Sequence, residues 1–132
     1  MILLFGGPSR WAAVGAASLA SGAGIVLFLA LKRAIGRERP CAVEPHCWAC
    51  LMPPDQFSFP SGHSITAFAV AASLGLFYPS LMPGLLFCAF SIAISRIVLG
   101  MHYLSDVVVG SLFGGMLGYL AFLGLTVAGG GH

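Results

Sequence analysis

The segment SRIVLGMHYLSD, residues 95–106, places three ionisable side chains between two long apolar runs: Arg96, His102 and Asp106. Residues four positions apart lie on one face of a helix, so Asp106 could accept a hydrogen bond from one ring nitrogen of His102. Such a bond fixes the tautomer of the imidazole and leaves the other nitrogen to act as a nucleophile or a base. The spacing therefore predicts a reactive histidine.

Three of the permanently charged basic residues could bind a phosphate group. Lys32 and Arg39 follow the first apolar run, and Arg96 lies near the end of the third. A guanidinium matches the geometry of phosphate oxygens, and an ammonium supplies a point charge. These three cations are candidate phosphate ligands, whereas Arg33 and Arg37 are expected to face lipid headgroups.

The sequence PSGH, residues 60–63, stands at the start of another apolar run. The backbone N–H groups of Ser61 and Gly62, with the positive end of the helix that follows, favour an anion. His63 has no neighbouring carboxylate in the sequence and suits a general acid. Together with the cations, these residues predict a site for a tetrahedral phosphoryl group.

The composition indicates a membrane protein. Hydrophobic residues make up 58% of the chain and charged residues 8%, whereas about a quarter of a soluble domain is charged. Trp11–Leu31 and Val107–Gly131 carry no charge, and a spanning helix needs roughly 20 apolar residues. The first run is too long for a signal peptide, so it is interpreted as a structural helix. A net charge of +2 without a basic tract gives no support to a nucleic-acid partner.

The element pattern predicts an all-α polytopic membrane bundle with about four transmembrane helices. Ser64–Ser95 is uncharged but too long for one span, and FYPSLMPG, residues 77–84, carries two prolines that would break a helix. This stretch is interpreted as a helical hairpin. The predicted spans cover roughly 9–33, 62–78, 82–100 and 103–127.

Alternating helix direction brings the candidate residues to one face of the membrane. The end of the first helix, the PSGH turn, Arg96 and the His102–Asp106 pair all fall on that side. Each hairpin helix has about 16 residues, or roughly 24 Å, against a hydrocarbon thickness of about 30 Å. His63 and Arg96 are therefore expected slightly below the membrane surface, where ionisable groups are costly and mark function.

A row of small residues continues from the charged pair along the last helix. Gly110, Gly114 and Gly118 extend the four-residue spacing of His102 and Asp106. Small residues allow helices in lipid to approach closely. This face is therefore predicted to look into the bundle.

The loop at 40–59 is the one long polar connection, and it is expected on the active side. It holds Cys41, Cys47, Cys50 and His46. These side chains could form a disulfide, remain thiols or bind zinc, although the ligand pairs are closer together than in standard zinc modules.

Three motifs in order resemble the type 2 phosphatidic acid phosphatase superfamily. KRAIGRERP at 32–40 fits K-x6-R-P, PSGH stands intact, and SRIVLGMHYLSD fits S-R-x5-H-x3-D. The resemblance covers residues 32–106 and implies one membrane-embedded phosphatase domain over 1–132. Membrane members of the family generally have six helices, so the chain looks like a shortened form of that core. The given sequence could begin late, a neighbouring protein or a homodimer could supply the missing walls, or the chain could be a minimal version of the core.

The resemblance implies a role for each matched residue. His102 would attack phosphorus and form a phosphohistidine, Asp106 would orient His102, and His63 would protonate the leaving oxygen. No metal or other cofactor would be used. The phosphoryl group would be held by five residues: Lys32, Arg39, Ser61, Gly62 and Arg96.

The substrate implied is a phosphate monoester or diphosphate of a membrane lipid. Undecaprenyl diphosphate, phosphatidic acid and phosphatidylglycerol phosphate all fit the chemistry, and the size of the chain favours a bacterial carrier-lipid phosphatase of the inner membrane. Lys32, Arg33, Arg37 and Arg39 outnumber Arg10, which places the active side in the cytoplasm by the positive-inside rule. The resemblance and a disulfide-capable loop favour an outward-facing site, which is the orientation we expect.

Three other functions remain open at this point. The chain could bind lipid phosphates without catalysis, although a binding protein has no need for an oriented histidine. It could be a hydrolase with Ser61 as nucleophile, but the G-x-S-x-G pattern is absent. It could also be an intramembrane metalloenzyme using His63, His102 and Asp106.

Overall fold

The computed structural model describes residues 7, 9–38 and 57–129, and this part of the chain is all-α with four helices. Their ends differ by at most two residues from the ranges that the apolar runs predict. A short 3-10 helix, Pro79–Leu81, connects the second helix to the third. The helices are α1, Arg10–Ile35; α2, Gly62–Phe77; α3, Met82–Val98; and α4, Leu104–Gly129.

The helix ends follow from local sequence signals. Gly36 adopts a positive φ of 60° after α1, and its N–H bonds to the carbonyl of Lys32, as expected of a glycine that closes a helix. Ser61 is the N-cap of α2, a position that serine favours because its oxygen can accept from the first free N–H groups. Pro79 and Pro83 stand at the first turns of the 3-10 helix and α3, where proline is tolerated.

Three helices are long and apolar enough to cross a bilayer: Arg10–Ile35, Pro79–Val98 and Leu104–Ala128. The fourth, Gly62–Phe77, is equally apolar but has only 16 residues, or about 24 Å. Large hydrophobic side chains on the outside of the bundle are exposed, among them Trp11, Phe87 and Val127. An exposed apolar exterior of this extent is typical of a surface that lies in lipid. The chain is an integral membrane protein.

The bundle packs around α2, which contacts α1, α3 and above all α4. The buried apolar side chains are mostly alanines, so the helices approach closely. The predicted inward orientation of the glycine row is confirmed. A Cβ at Gly110 would lie 2.8 Å from the carbonyl oxygen of Ser61, and a Cβ at Gly114 would overlap the carbonyl of Ile65.

Replacement of Gly114 by alanine is expected to lower the free energy of unfolding by about 1–3 kcal/mol, the usual cost of overpacking. The reason is that the added methyl group meets the backbone of α2 and not a flexible side chain. Gly115→Ala is the matched control, because nothing lies within 4 Å of a Cβ at that neighbouring position. Thermal unfolding in detergent micelles measures both; equal midpoints for the two variants would contradict the close approach.

Candidate functional site

His102 lies in the tight connection between α3 and α4. Gly100 adopts a positive φ of 69° there, and the carbonyl oxygen of Arg96 accepts hydrogen bonds from the N–H groups of Met101 and His102 at 3.1 and 3.3 Å. The last turn of α3 therefore fixes the backbone of the histidine. The His102 side chain is only 4% exposed.

The ring of His102 is oriented by the segment that precedes α2. Its Nδ1 lies 2.6 Å from the backbone carbonyl oxygen of Ser58. A carbonyl oxygen can only accept, so Nδ1 carries the proton and the lone pair of the neutral ring is on Nε2. The hydrogen bond expected between His102 and Asp106 is not formed: Nδ1 is 4.0 Å from Asp106 Oδ2. The carboxylate acts on the ring as a nearby charge, and Ser58 provides the direct contact.

Asp106 is completely buried and holds three elements together. Its Oδ2 accepts a hydrogen bond of 2.8 Å from the N–H of Tyr103 at the start of α4. Its Oδ1 pairs with Arg37 Nη1 at 3.1 Å, and its backbone carbonyl accepts from Ser61 N–H at 3.1 Å. The prediction that Arg37 faces lipid headgroups is therefore wrong.

The PSGH turn supports the site differently from the sequence expectation. The N–H of Ser61, predicted to bind an anion, donates instead to Asp106. The Ser61 hydroxyl is buried and accepts from the Ser64 N–H at 3.4 Å and the Ser64 hydroxyl at 3.0 Å. Gly62 and His63 open α2, and the first N–H groups of a helix have no partner within it. Anion binding by this turn is thus limited to the positions after Ser61.

The Ser61 environment also bears on the serine-hydrolase alternative. A nucleophilic hydroxyl needs a base within hydrogen-bond reach. The Ser61 hydroxyl is engaged with Ser64, and the Nδ1 of His102 is engaged with Ser58. Complete burial of Ser61 further separates its oxygen from a substrate.

Two of the three candidate cations, Lys32 and Arg96, lie among the described residues, at the same end of the bundle. Lys32 is buried, and its Nζ lies 4.7 Å from the centre of the Phe28 ring; that ring also lies against Gly62, at 3.2 Å from where a Cβ would be. Arg96 is half-buried, with Nε 3.3 Å from the Ser95 hydroxyl and Nη1 3.7 Å from Met101 Sδ. Arg39 lies outside the described residues.

A cavity of about 650 Å³ extends from the two histidines into the bundle. His63, exposed on the first turn of α2, and His102 are both in its wall. Below them the cavity is almost entirely apolar, with side chains from α1, α2 and α3. The wall of this part of the cavity includes Phe28, Val70, Leu85, Cys88 and Ile92.

Two expectations concern metals and cysteines. Across residues 9–38 and 57–129, no three His, Cys, Asp or Glu side chains are grouped so that they could hold a metal ion. The metalloenzyme alternative, with His63, His102 and Asp106 as ligands, therefore has no such cluster in this region. The loop cysteines at positions 41, 47 and 50, for which a disulfide, free thiols and zinc binding were all left open, lie outside the described residues.

Sequence reasoning missed two residues at the site. Ser58 acts through its backbone carbonyl, which no residue type reveals. Arg37 follows Gly36, and that glycine was the available signal: once the helix ends there, Arg37 no longer shares a helix face with the residues before it.

Comparison with known proteins identifies the family. The model of the PAP2 superfamily matches residues 11–128. The chain is 38% identical over 94 residues to the lipid A 1-phosphatase of Rhizobium etli, covering 68% of this chain and 40% of that protein. It is 41% identical over 101 residues to the decaprenylphosphoryl-5-phosphoribose phosphatase of Mycolicibacterium smegmatis, covering 76% of this chain and 52% of that protein. The chain thus spans about half or less of these relatives.

Solved structures agree in fold. The crystal structure of Aquifex aeolicus LpxE superposes with a TM-score of 0.77 at 28% identity, over 92% of this chain and 72% of that one. The PAP2-type phosphatidylglycerolphosphate phosphatase of Bacillus subtilis gives a TM-score of 0.60 at 28% identity, over 98% of this chain and 63% of that one. With a family model that matches nearly its whole length, and with the described motif residues gathered at one end of the bundle, the chain belongs to the PAP2 superfamily.

Proposed function

We propose that the protein is a lipid phosphatase that hydrolyses a phosphate monoester or diphosphate of a membrane lipid through a phosphohistidine. The observation that carries this proposal is the state of His102: a buried ring in the cavity wall whose Nδ1 proton is held by Ser58. A histidine with one nitrogen so occupied presents its lone pair on the other. An oriented lone pair serves nucleophilic attack and adds nothing to mere binding.

In the first step, Nε2 of His102 attacks phosphorus, and the bond from phosphorus to the lipid oxygen breaks. His63, in the wall of the same cavity, gives its proton to that leaving oxygen. The positive charge that develops on the His102 ring is stabilised by the carboxylate of Asp106, 4.0 Å from Nδ1. The products are a phosphohistidine and the dephosphorylated lipid, or a lipid monophosphate when the substrate is a diphosphate.

In the second step, water attacks the phosphohistidine and inorganic phosphate leaves. His63 now takes the proton from water, the reverse of its first role. Lys32, Arg39, Arg96 and the N–H groups that open α2 hold the phosphoryl oxygens, with the Ser61 hydroxyl fixing the start of that helix. Fixed cations and helix dipoles take the place of a magnesium ion in stabilising the transition state.

The apolar cavity supports a lipid substrate. It starts at His63 and His102 and continues between α2 and α3 past Val70, Cys88 and Ile92, at the depth of the hydrocarbon. A water-soluble phosphate ester would have no use for this surface. The relatives are named for lipid A and decaprenylphosphoryl-5-phosphoribose, and the B. subtilis structure for phosphatidylglycerolphosphate, so all three lipid classes are candidates beside phosphatidic acid and undecaprenyl diphosphate.

The proposal is tested by phosphate release from a panel of these lipid phosphates in detergent, with and without excess chelator. Release from at least one lipid, unchanged by chelator, is the expected result. Release that requires an added metal ion would contradict the mechanism. No release from any lipid would leave binding without catalysis as the better account of the chain.

Filling the cavity is expected to affect lipids selectively. Cys88 is exposed on α3 and lines the cavity, so Cys88→Phe narrows the channel without a core clash. Loss of contact with two or three methylene groups, at about 0.8 kcal/mol each, lowers kcat/KM for a long-chain substrate about 10-fold or more. A short-chain phosphate should be unaffected. Ile94→Phe, on the same helix but outside the cavity wall, is the control; equal losses for both substrates would refute the tail site.

We place the site on the outer face of a bacterial inner membrane. The cationic count favours the cytoplasm, but cations that bind phosphate do not report orientation. Labelling of Cys41 in intact cells by a membrane-impermeant maleimide, in a variant without the other cysteines, tests this placement. Labelling only after the cells are opened would reverse it.

A further inference from the structure

Arg37 stands immediately after the glycine that ends α1, and its side chain reaches across to α4. Its Nη1 donates to the Ser105 hydroxyl at 2.8 Å and to Asp106 Oδ1 at 3.1 Å. Its guanidinium lies over the Tyr103 ring, 4.2 Å from the centre. Three contacts of different kinds fix one guanidinium, as expected of a side chain that anchors the start of α4.

The backbone of Arg37 makes a second connection to the same histidine. Its carbonyl oxygen accepts a hydrogen bond of 2.7 Å from Ser58 N–H. The carbonyl oxygen of Ser58 in turn accepts from Nδ1 of His102 at 2.6 Å. Arg37 is therefore linked to His102 by two routes, through Ser58 by its main chain and through Asp106 by its side chain.

The two carboxylate oxygens of Asp106 have different partners. Oδ1 faces Arg37, while Oδ2 faces Tyr103 N–H and lies nearest to the His102 ring. The carboxylate is 0% exposed, and the Arg37 side chain is 41% exposed. Without the guanidinium, a fully buried carboxylate would lose its cation and one hydrogen bond, and it would be held only by its other oxygen.

We infer that Arg37 is a positioning residue for catalysis, which holds the Asp106 carboxylate in the orientation that His102 needs, and that it does not bind the phosphoryl group. This inference rests on the proposed function and adds a residue at a variable position of the first motif. A guanidinium already committed to a carboxylate, a hydroxyl and an aromatic face is poorly placed to serve phosphate as well. Lys32, Arg39 and Arg96 retain that role.

The first experiment compares Arg37→Ala, Arg37→Lys and Arg33→Ala on the best lipid of the panel. Loss of an outer-shell partner that orients a metal ligand typically costs about 10-fold to 100-fold. We expect the same scale for a residue that orients the carboxylate beside His102, so kcat of Arg37→Ala should fall by that factor while KM stays within about 3-fold. Arg37→Lys keeps the charge and should recover part of kcat. Arg33→Ala removes the same charge from an exposed position and should match the wild type.

The second experiment separates positioning from phosphate binding. If Arg37 acts through Asp106, then Arg37→Ala should cost less than about 3-fold in an Asp106→Asn background, since residues that act as one unit are not additive. Inhibition by inorganic phosphate should be equally strong in wild type and Arg37→Ala, but weaker in Arg96→Ala. Multiplicative losses in the double variant, or a phosphate inhibition constant raised as much by Arg37→Ala as by Arg96→Ala, would overturn the inference.

Thermal unfolding reports the contact without reference to activity. The losses of midpoint temperature in Arg37→Ala and Asp106→Asn should be less than additive in the double variant, and additive losses would overturn the contact itself. Should Arg37→Ala not accumulate as folded protein, Arg37→Gln replaces it in every measurement. An inactive wild type refutes the proposed function, whereas an active wild type with an unaffected Arg37→Ala refutes this inference alone.

Discussion

His102→Ala is expected to lower kcat on a lipid phosphate by about 10⁴-fold or more, the scale seen when a catalytic nucleophile is removed. No other imidazole shares its position between Ser58 and the cavity in the described part of the chain. Binding of the lipid phosphate should survive within a few-fold, because the cations and the apolar cavity remain. Phosphate release and a lipid-binding assay on the same preparation measure the two properties separately.

Labelled substrate gives an independent reading of the same variant. The wild type should show a phosphorylated protein that is stable in alkali and lost in acid, as a phosphohistidine is, and His102→Ala should show none. His132→Ala removes a histidine outside the three motifs and should keep both the intermediate and turnover. Turnover of His102→Ala within tenfold of wild type, or an alkali-labile intermediate of the serine-ester kind, would remove His102 from the proposed role.

His63→Gln is expected to show a loss that depends on the leaving group. General acid catalysis contributes about 10²-fold to 10⁴-fold, and a lipid alkoxide leaves poorly without a proton. Formation of the phosphohistidine from a lipid monoester should slow by that factor. With p-nitrophenyl phosphate, whose phenolate leaves unprotonated, the same step should slow less than about tenfold.

The second step provides the internal control for His63. Because the residue also takes a proton from the attacking water, His63→Gln should accumulate phosphohistidine from p-nitrophenyl phosphate and release a burst of nitrophenol. Rapid mixing with colorimetric detection measures the nitrophenol burst, whose amplitude reports the phosphohistidine that has accumulated. Equal losses for the two esters, with no burst, would mean that His63 binds or packs and does not transfer a proton.

Much of the fold could be predicted from the sequence because each helix is marked at both ends. Uncharged runs, a glycine after α1 and prolines in the first turns of the 3-10 helix and α3 indicate where helices begin and end. The spacing of Gly110 and Gly114 from Asp106 fixed which face of α4 meets α2, and the backbone contacts there agree. Helical periodicity depends only on the spacing of residues along the chain, so features of this kind can be predicted from the sequence.

The hydrogen-bond partners at the site could not be read in the same way. His102 is bonded to a main-chain oxygen of Ser58, 44 residues away, and every residue offers such an oxygen. Asp106 pairs with Arg37 because α1 ends before Gly36 and the chain changes direction there. The position of Arg37 can therefore not be deduced from the helical periodicity of α1. Position along the helices predicted which residues lie at the same end of the bundle. The hydrogen-bond partners of His102 and Asp106 include residues of the connecting segments, whose conformation has no comparable periodicity.

The unequal contacts of α3 and α4 with α2 have a consequence for substrate choice. The glycine row brings α4 so close to the α2 backbone that the two cannot slide past each other, and Ser61 and Asp106 are bonded across that contact. By contrast, α3 packs against α2 and makes few contacts with α4. Under the proposed function, tails of different thickness are therefore expected to be accommodated by movement of the Met82 end of α3, because its other end is bonded through the Arg96 carbonyl to the backbone of His102. In the proposed lipid phosphatase, tolerance for different tails would then depend on one end of α3, and selectivity for the headgroup on the other.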